Sequence, residues 1–230
     1  EMVYDFQVTE PPASEVGKEA SQIWVQMTPK DVVQAHLDLF QETDDAPPDL
    51  VTSGASALCN LTATHWEDPG NLYAIVDIGH TQTTLCIIEG GSIRQVRTLS
   101  GGGKDITLAI GKAYELSFEE AEKAKIDNGF VLTKGAKATQ DQIKFSECVR
   151  QALDPLMTQL NQTFQSIRAP GRGSVQKVYL TGGSSRLRNI GRYVSDELRV
   201  ETEPLQALNA YELNNIPVTD EHHAKISTPL

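Results

Sequence analysis

The sequence predicts an α/β protein: a mixed sheet opened by an antiparallel meander, helices on its faces, and a small αβ subdomain at the N-terminus. Three observations carry this reading. Apolar runs of strand length alternate with longer stretches whose apolar residues recur at helical spacing. A Gly90-Gly91 pair separates two strand-like runs, the mark of a tight hairpin. Two further apolar strands end in glycine-containing turns, Asp77-Ile78-Gly79 and Thr181-Gly182-Gly183, and carboxyl ends of strands are where open α/β sheets bind ligands.

Met2 to Val8 alternates partly, and Pro11-Pro12 breaks it; Ser21 to Met27 is a second strand. Thr28-Pro29 reads as an N-cap with proline at the first helical position, and Val32, Val33, His36, Leu37 and Phe40 supply the helical repeat. The acidic linker Glu42-Thr43-Asp44-Asp45-Ala46-Pro47-Pro48 closes this module. A short strand over 49–52 and a small-residue helix over 55–63 follow. The meander is then 72–76, 83–89 and 92–99, and the loop Ser100-Gly101-Gly102-Gly103 leads to a helix over 106–114. Ser117-Phe118-Glu119-Glu120 is a capping box that starts a helix to about Ile126. Val149, Ala152, Leu153, Leu156, Leu160, Phe164 and Ile167 line one face of a long helix over 139–168, which Pro155 should kink. The strand 175–180 and a helix over 187–198 complete the pattern, and the tail from Glu201 has no clear period.

The chain has 230 residues and a net charge of −11. Residues 1–70 hold 13 acids and 2 bases, whereas residues 71–230 hold 18 of each. That split argues against a nucleic-acid or anionic-membrane surface on the N-terminal third. It points instead to a basic partner surface facing residues 1–45, with salt-sensitive binding. There is no apolar run of membrane-spanning length and no signal-peptide pattern. The abrupt ends suggest a fragment of a longer protein. Cys59, Cys86 and Cys148 lack metal or disulfide spacing and read as small core residues of a reduced compartment.

Two constellations carry chemistry. In Ile75-Val76-Asp77-Ile78-Gly79-His80-Thr81-Gln82-Thr83-Thr84 a carboxylate ends a buried strand, a glycine turns the backbone, and hydroxyl residues follow. Amide donors, small side chains and an acid able to hold a metal ion are what a phosphate site needs. A Thr-rich hairpin turn with an Asx cap explains the same segment about as well. In Val178-Tyr179-Leu180-Thr181-Gly182-Gly183-Ser184-Ser185-Arg186-Leu187 a buried strand meets paired glycines and a helix start. This admits a flat ligand or a phosphate, or is simply a capped strand-to-helix turn.

Together the two are more specific. With Gly102-Gly103, Thr107 and Ile110, and with Ser117 to Glu122 and Lys125, their types and spacing resemble the actin-like (ribonuclease H-like) ATPase fold, here partial. Within it they resemble the PilM/GspL-type family of type IV pilus assembly and type II secretion, an FtsA-like branch. The resemblance is good over about residues 70–200 and extends to residues 1–70 only in element order. It implies that residues 1–45 are a small inserted partner-binding subdomain, 46–70 the remainder of the first lobe, and 71–230 the second lobe. It further implies ATP with Mg²⁺ as cofactor, with Asp77 approaching the metal and Gly79, Thr81, Thr83 and Thr84 flanking the phosphates. Glu122 and Lys125 would face the ribose; Gly182, Gly183 and Ser184 would pack on adenine.

The function so implied is an adaptor on the cytoplasmic side of a bacterial inner membrane, joining a secretion or pilus ATPase to membrane-anchored platform proteins, with room for a homodimer. An Hsp70-like ATPase or sugar-kinase-like enzyme is the alternative. The family's first phosphate motif, of DxG type, and its closing small-residue helix have no counterpart between Glu1 and Leu230, and His80 replaces a small residue and would crowd a phosphate. Weak hydrolysis by this chain alone is the expectation. Ser100 to Lys104 fails the P-loop spacing, since Thr98 and Asp105 stand where glycine and a hydroxyl are required. His222-His223 lacks companion ligands. Arg186, Arg188 and Arg192 read as a solvated helix face.

Overall fold

A computed structural model describes residues 1–9, 22–42, 46, 48–63, 71–168 and 173–206. The histidine pair at 222–223 and the linker positions 43–45 lie outside the described residues. At the N-terminus β1 (Met2–Thr9) pairs antiparallel with β2 (Gln22–Pro29), in register from Met2↔Pro29 to Thr9↔Gln22, and α1 (Lys30–Glu42) follows. Thr28-Pro29 therefore closes β2 instead of opening the helix. Thr28 pairs with Val3, and at the end of an edge strand proline's missing N–H costs nothing. Alternation places Tyr4, Phe6, Val8, Ile23, Val25 and Met27 on one face of this ribbon, and all are more than half exposed. The expected strand over 49–52 does not form: the segment is irregular and leads into α2 (Gly54–Ala63), with no partner strand beside it among the described residues.

The second sheet has the order β5-β4-β3-β6-β7. The meander β3 (Leu72–Ile78), β4 (Gln82–Glu89) and β5 (Ser92–Ser100) is antiparallel, while β6 (Val175–Thr181) and β7 (Glu201–Pro204) run parallel to β3. β7 is the element the sequence hides. It is only four residues long and mostly polar, and Lys177 on β6 bridges its Glu201 (3.4 Å) and Glu203 (2.8 Å). The helices are α3 (Gly103–Tyr114), α4 (Phe118–Asn128), α5 (Gln140–Ile167) and α6 (Ile190–Leu198). The predicted Ser117 cap forms, and Thr139 supplies a second: their hydroxyls accept from the N–H groups of Glu120 and Gln142, whose side chains answer in return. The expected helix over 187–198 forms only from Ile190. A 3₁₀ turn, Gly183–Arg186, comes first, then Asn189 in the left-handed region (φ 65°), and Arg188 bridges to Phe130.

Period-two alternation divides the core. Val76, Ile78, Leu85 and Ile87 face α3 and α5, where Ile106, Ile110, Leu153, Leu156 and Leu160 bury against them. On the other face Ile75, Cys86 and Ile88 pack under Leu58 and Cys59 of α2, with Leu205. Leu156→Ala is expected to cost about 3 kcal/mol, the usual toll of a buried leucine cavity, read as a lower urea midpoint. None of the three cysteines forms a disulfide, and Cys59 and Cys86 are buried. Burial above all, then the nearby Cys59 and Asp77, pushes the Cys86 thiol up to about 12. A thiol-exchange reagent at pH 8 should therefore react with the half-buried Cys148 alone until denaturant is added.

Candidate functional site

The site assembles where β3 and β6 end side by side. Asp77 pairs across the sheet with Thr84 on β4 and Thr181 on β6, so these three share the α2 face of the sheet. Burial raises the Asp77 carboxyl above its ordinary range. Thr81 and the ring-bearing His80 are exposed at the turn. Thr83 is one residue out of phase with Thr84 and points the other way. It is fully buried, and its hydroxyl donates to the Gly101 carbonyl (2.8 Å). The expected Thr83-Thr84 pair is thus divided: Thr84 lies on the Asp77 face, and Thr83 braces the neighbouring loop.

That loop, 101–103, docks on the Gly79 turn through the backbone. Gly103 N–H donates to Gly79 O (2.8 Å) and Lys104 N–H to His80 O (2.7 Å). A side chain at Gly102 would start 2.6 Å from His80 O and 2.7 Å from Gly79 O, so only glycine permits the approach. On the other side the Ser184 hydroxyl reaches the Gly103 α-carbon, where an added Cβ would lie 2.7 Å away. Three glycine turns, 79–80, 101–103 and 182–184, therefore meet at the carboxyl ends of β3 and β6. Gly183 is exposed, and a Cβ added there would meet no atom within 4 Å. The protein leaves that side open.

Beneath the loop lies a polar knot. Lys125 on α4 is buried, and its amine donates to Gly103 O (3.0 Å), Thr107 Oγ1 (2.9 Å) and Glu122 Oε2 (2.8 Å). The Thr107 hydroxyl, with one proton to give, also lies in hydrogen-bond reach of the Glu122 carboxylate and of Gly103 O (2.9 Å). Burial pushes the Glu122 carboxyl up, but hydrogen bonds from Lys125 and Thr107 and the charges of Lys125 and His80 outweigh it and hold the group below its ordinary value. The His80 ring leans edge-on against Phe118 at the start of α4, with centroids 6.2 Å apart.

A family model described as "Type IV pilus assembly protein PilM" matches residues 1–224. The chain belongs to this family. The PilM–PilN type IV pilus biogenesis complex contains a chain of the same fold: TM-score 0.77, 26% identity, covering 98% of this chain and 62% of that one. This PilM-family chain thus spans less than two thirds of that structure's length. MreB5 of Spiroplasma citri bound to AMPPNP aligns with TM-score 0.60 at 17% identity, over 86% of this chain and 64% of that one. A non-polymerising MamK mutant bound to AMPPNP gives TM-score 0.55 at 12% identity, over 81% and 79%. These establish the actin-like fold.

Within that fold, the PilM-family chain brings together Asp77, Gly79, Thr81 and Thr84 with Gly182, Gly183 and Ser184, and links them through Gly103 to Lys125 and Glu122. Thr107 and Thr181 belong to the same cluster. Thr107 is the hinge of the polar knot, and Thr181 lies in register beside Asp77. The sequence shows Thr181 as a hydroxyl beside a glycine and Thr107 as one of the residues that carry the family resemblance, without marking either as a site residue. Among the described residues no group of three or more His, Cys, Asp or Glu side chains is placed to hold a metal ion. Among them, too, no helix is long and apolar enough to cross a membrane. Arg188 caps the Asn128 carbonyl (3.1 Å), and Arg192 pairs with Asp196 (3.3 Å).

Proposed function

We propose that the protein is a nucleotide-responsive adaptor of the type IV pilus machinery, holding membrane-anchored platform proteins of PilN type and linking them to the assembly ATPase at the cytoplasmic face of a bacterial inner membrane. The observation that carries the nucleotide part is the convergence of the three glycine turns around Asp77 at the carboxyl ends of β3 and β6. The donor set fits ATP with Mg²⁺. Closely apposed turns offer small side chains, a carboxylate ends the central strand, and the open side of Gly183 can take a flat base. When bound, the nucleotide would supply a polyanion with its metal that ties the turns of the two strands together.

The chain's own residues have separable tasks in this reading. Asp77 approaches the metal, usually through water. Gly79, Thr81 and Thr84 present the turn to the phosphates. Gly182, Gly183 and Ser184 form the base platform. Glu122 and Lys125 set the position of loop 101–103, which leaves only their outer edge for the ribose. The acidic N-terminal third provides the contact surface for a basic segment of the partner.

Calorimetric titration of ATP–Mg²⁺ into the full-length protein tests the site. Saturable binding that Asp77→Ala removes is expected; binding unchanged in that variant would refute the assignment. Capture of a PilN-type partner should weaken as salt rises from 50 to 500 mM, screening being steep over about that range. Equal capture at both ends would defeat the charge argument.

A further inference from the structure

At the opposite end of the sheet, where β6 begins, a cavity of about 500 Å³ opens between the C-terminal half of α5 and the junction of α6 with β7. Its floor is apolar: Phe164, Val175 and Val200 are buried there. Its rim is cationic. Arg168 follows the last turn of α5 and Arg199 the last turn of α6. Among the described residues neither guanidinium has a hydrogen bond or an ion pair, and both are exposed. Arg199 sits in the left-handed region (φ 55°), where glycine is the ordinary choice, so its long cation is kept at a backbone position that disfavours it. The one carboxylate in the wall, Glu197, is paired with Arg150 (3.3 Å).

Cations are favoured at helix C-termini for their own helix's sake. Here two such cations, from two helices, face one cavity with an apolar floor and an amide-bearing wall at Asn161 and Gln165. Guanidinium forks pair with carboxylate or phosphate oxygens in a planar, two-bond geometry. We propose that this cavity binds a small ligand with an apolar body and an anionic head, a phosphate ester or a carboxylate, the body on Phe164 and Val200 and the head between Arg168 and Arg199. The site is separate from the glycine turns: it lies at the start of β6, whereas they lie at its end.

Phenyl phosphate and phthalate serve as probes, titrated separately into the full chain and followed by backbone amide NMR shifts. Saturable shifts confined to residues 158–168 and 197–200 are expected from at least one probe, and the tighter binder tells phosphate from dicarboxylate. Arg168→Gln with Arg199→Gln should weaken binding about tenfold or more, given what charged hydrogen bonds contribute, while Asp77→Ala leaves it unchanged. Should the double variant fold poorly, Arg168→Gln alone, at an exposed position, should still weaken binding severalfold. Absence of binding by both probes overturns the proposal, as do shifts centred on Gly79, Gly102 and Gly182, or wild-type affinity in the arginine variants.

Discussion

Gly182→Ala is expected to lose about 3 kcal/mol of stability and all measurable nucleotide binding. Two costs add at this residue. The backbone is at φ +87°, a conformation that L side chains rarely adopt, and holding one there costs about 1–3 kcal/mol. A methyl group would also collide with Asp77 Oδ1 and with the Ile78 carbonyl, 2.6 Å from the new carbon. The Ile78 carbonyl belongs to a central strand and cannot retreat cheaply, while the Asp77 carboxylate must swing away from its place beside Gly182. Overpacking of this kind adds about 1–3 kcal/mol. Relief requires β3 and β6 to part at the point where the turns converge, so binding is lost with stability. Gly183→Ala is the control. It has open space at the Cβ position and should keep wild-type stability. Chemical denaturation of both variants, with ATP–Mg²⁺ calorimetry beside it, checks the contrast; equal stability of the two would refute the account.

The same residues show what the sequence reveals and what it conceals. The Asp77-Ile78-Gly79 and Thr181-Gly182-Gly183 turns each have an ordinary reading alone and are legible only as a pair; the structure sets them side by side on parallel strands. The meander, the Ser117 capping box and the long α5 are legible for a local reason: period and cap chemistry are written within a few residues. β7 is not, because its support is non-local: pairing with β6 and the two ion pairs of Lys177. Thr28-Pro29 misled because proline's fixed φ suits both a helix start and a strand end, and only Val3 across the ribbon decides. Thr83 misled because two adjacent threonines look like a pair in sequence, yet a strand sends them to opposite faces. The Lys125 knot depends on α3 and α4 packing together, which no local pattern states.

That knot carries the second large effect. Lys125→Met should destabilise the protein by about 2 kcal/mol at pH 7. Removing one partner of a buried pair costs about 3–5 kcal/mol, and the Glu122 side chain keeps 28% exposure, so water softens the loss. The variant strips loop 101–103 of the amine that holds Gly103 O, and leaves Glu122 with the Thr107 hydroxyl as its remaining close donor. Adding Glu122→Gln removes the stranded charge and should restore part of the loss; a double-mutant cycle should give a coupling of about 1–3 kcal/mol.

The pH dependence follows from the direction of the Glu122 shift. In the wild type its carboxyl is held below the ordinary value of 4.5. Its contribution is therefore complete above that value and is lost as pH falls through the lower folded value. In Lys125→Met the largest stabiliser of the charged form is gone, and only the Thr107 hydrogen bond and the His80 charge still oppose burial. The variant's ionised Glu122 therefore contributes less to folding than the wild type's, and the difference vanishes once the carboxyl is protonated in both. The gap between the two proteins should be widest near neutral pH and narrow below about pH 4.5. Urea midpoints from pH 3.5 to 7.5 measure it, and a gap independent of pH would mean that Lys125 acts through packing alone.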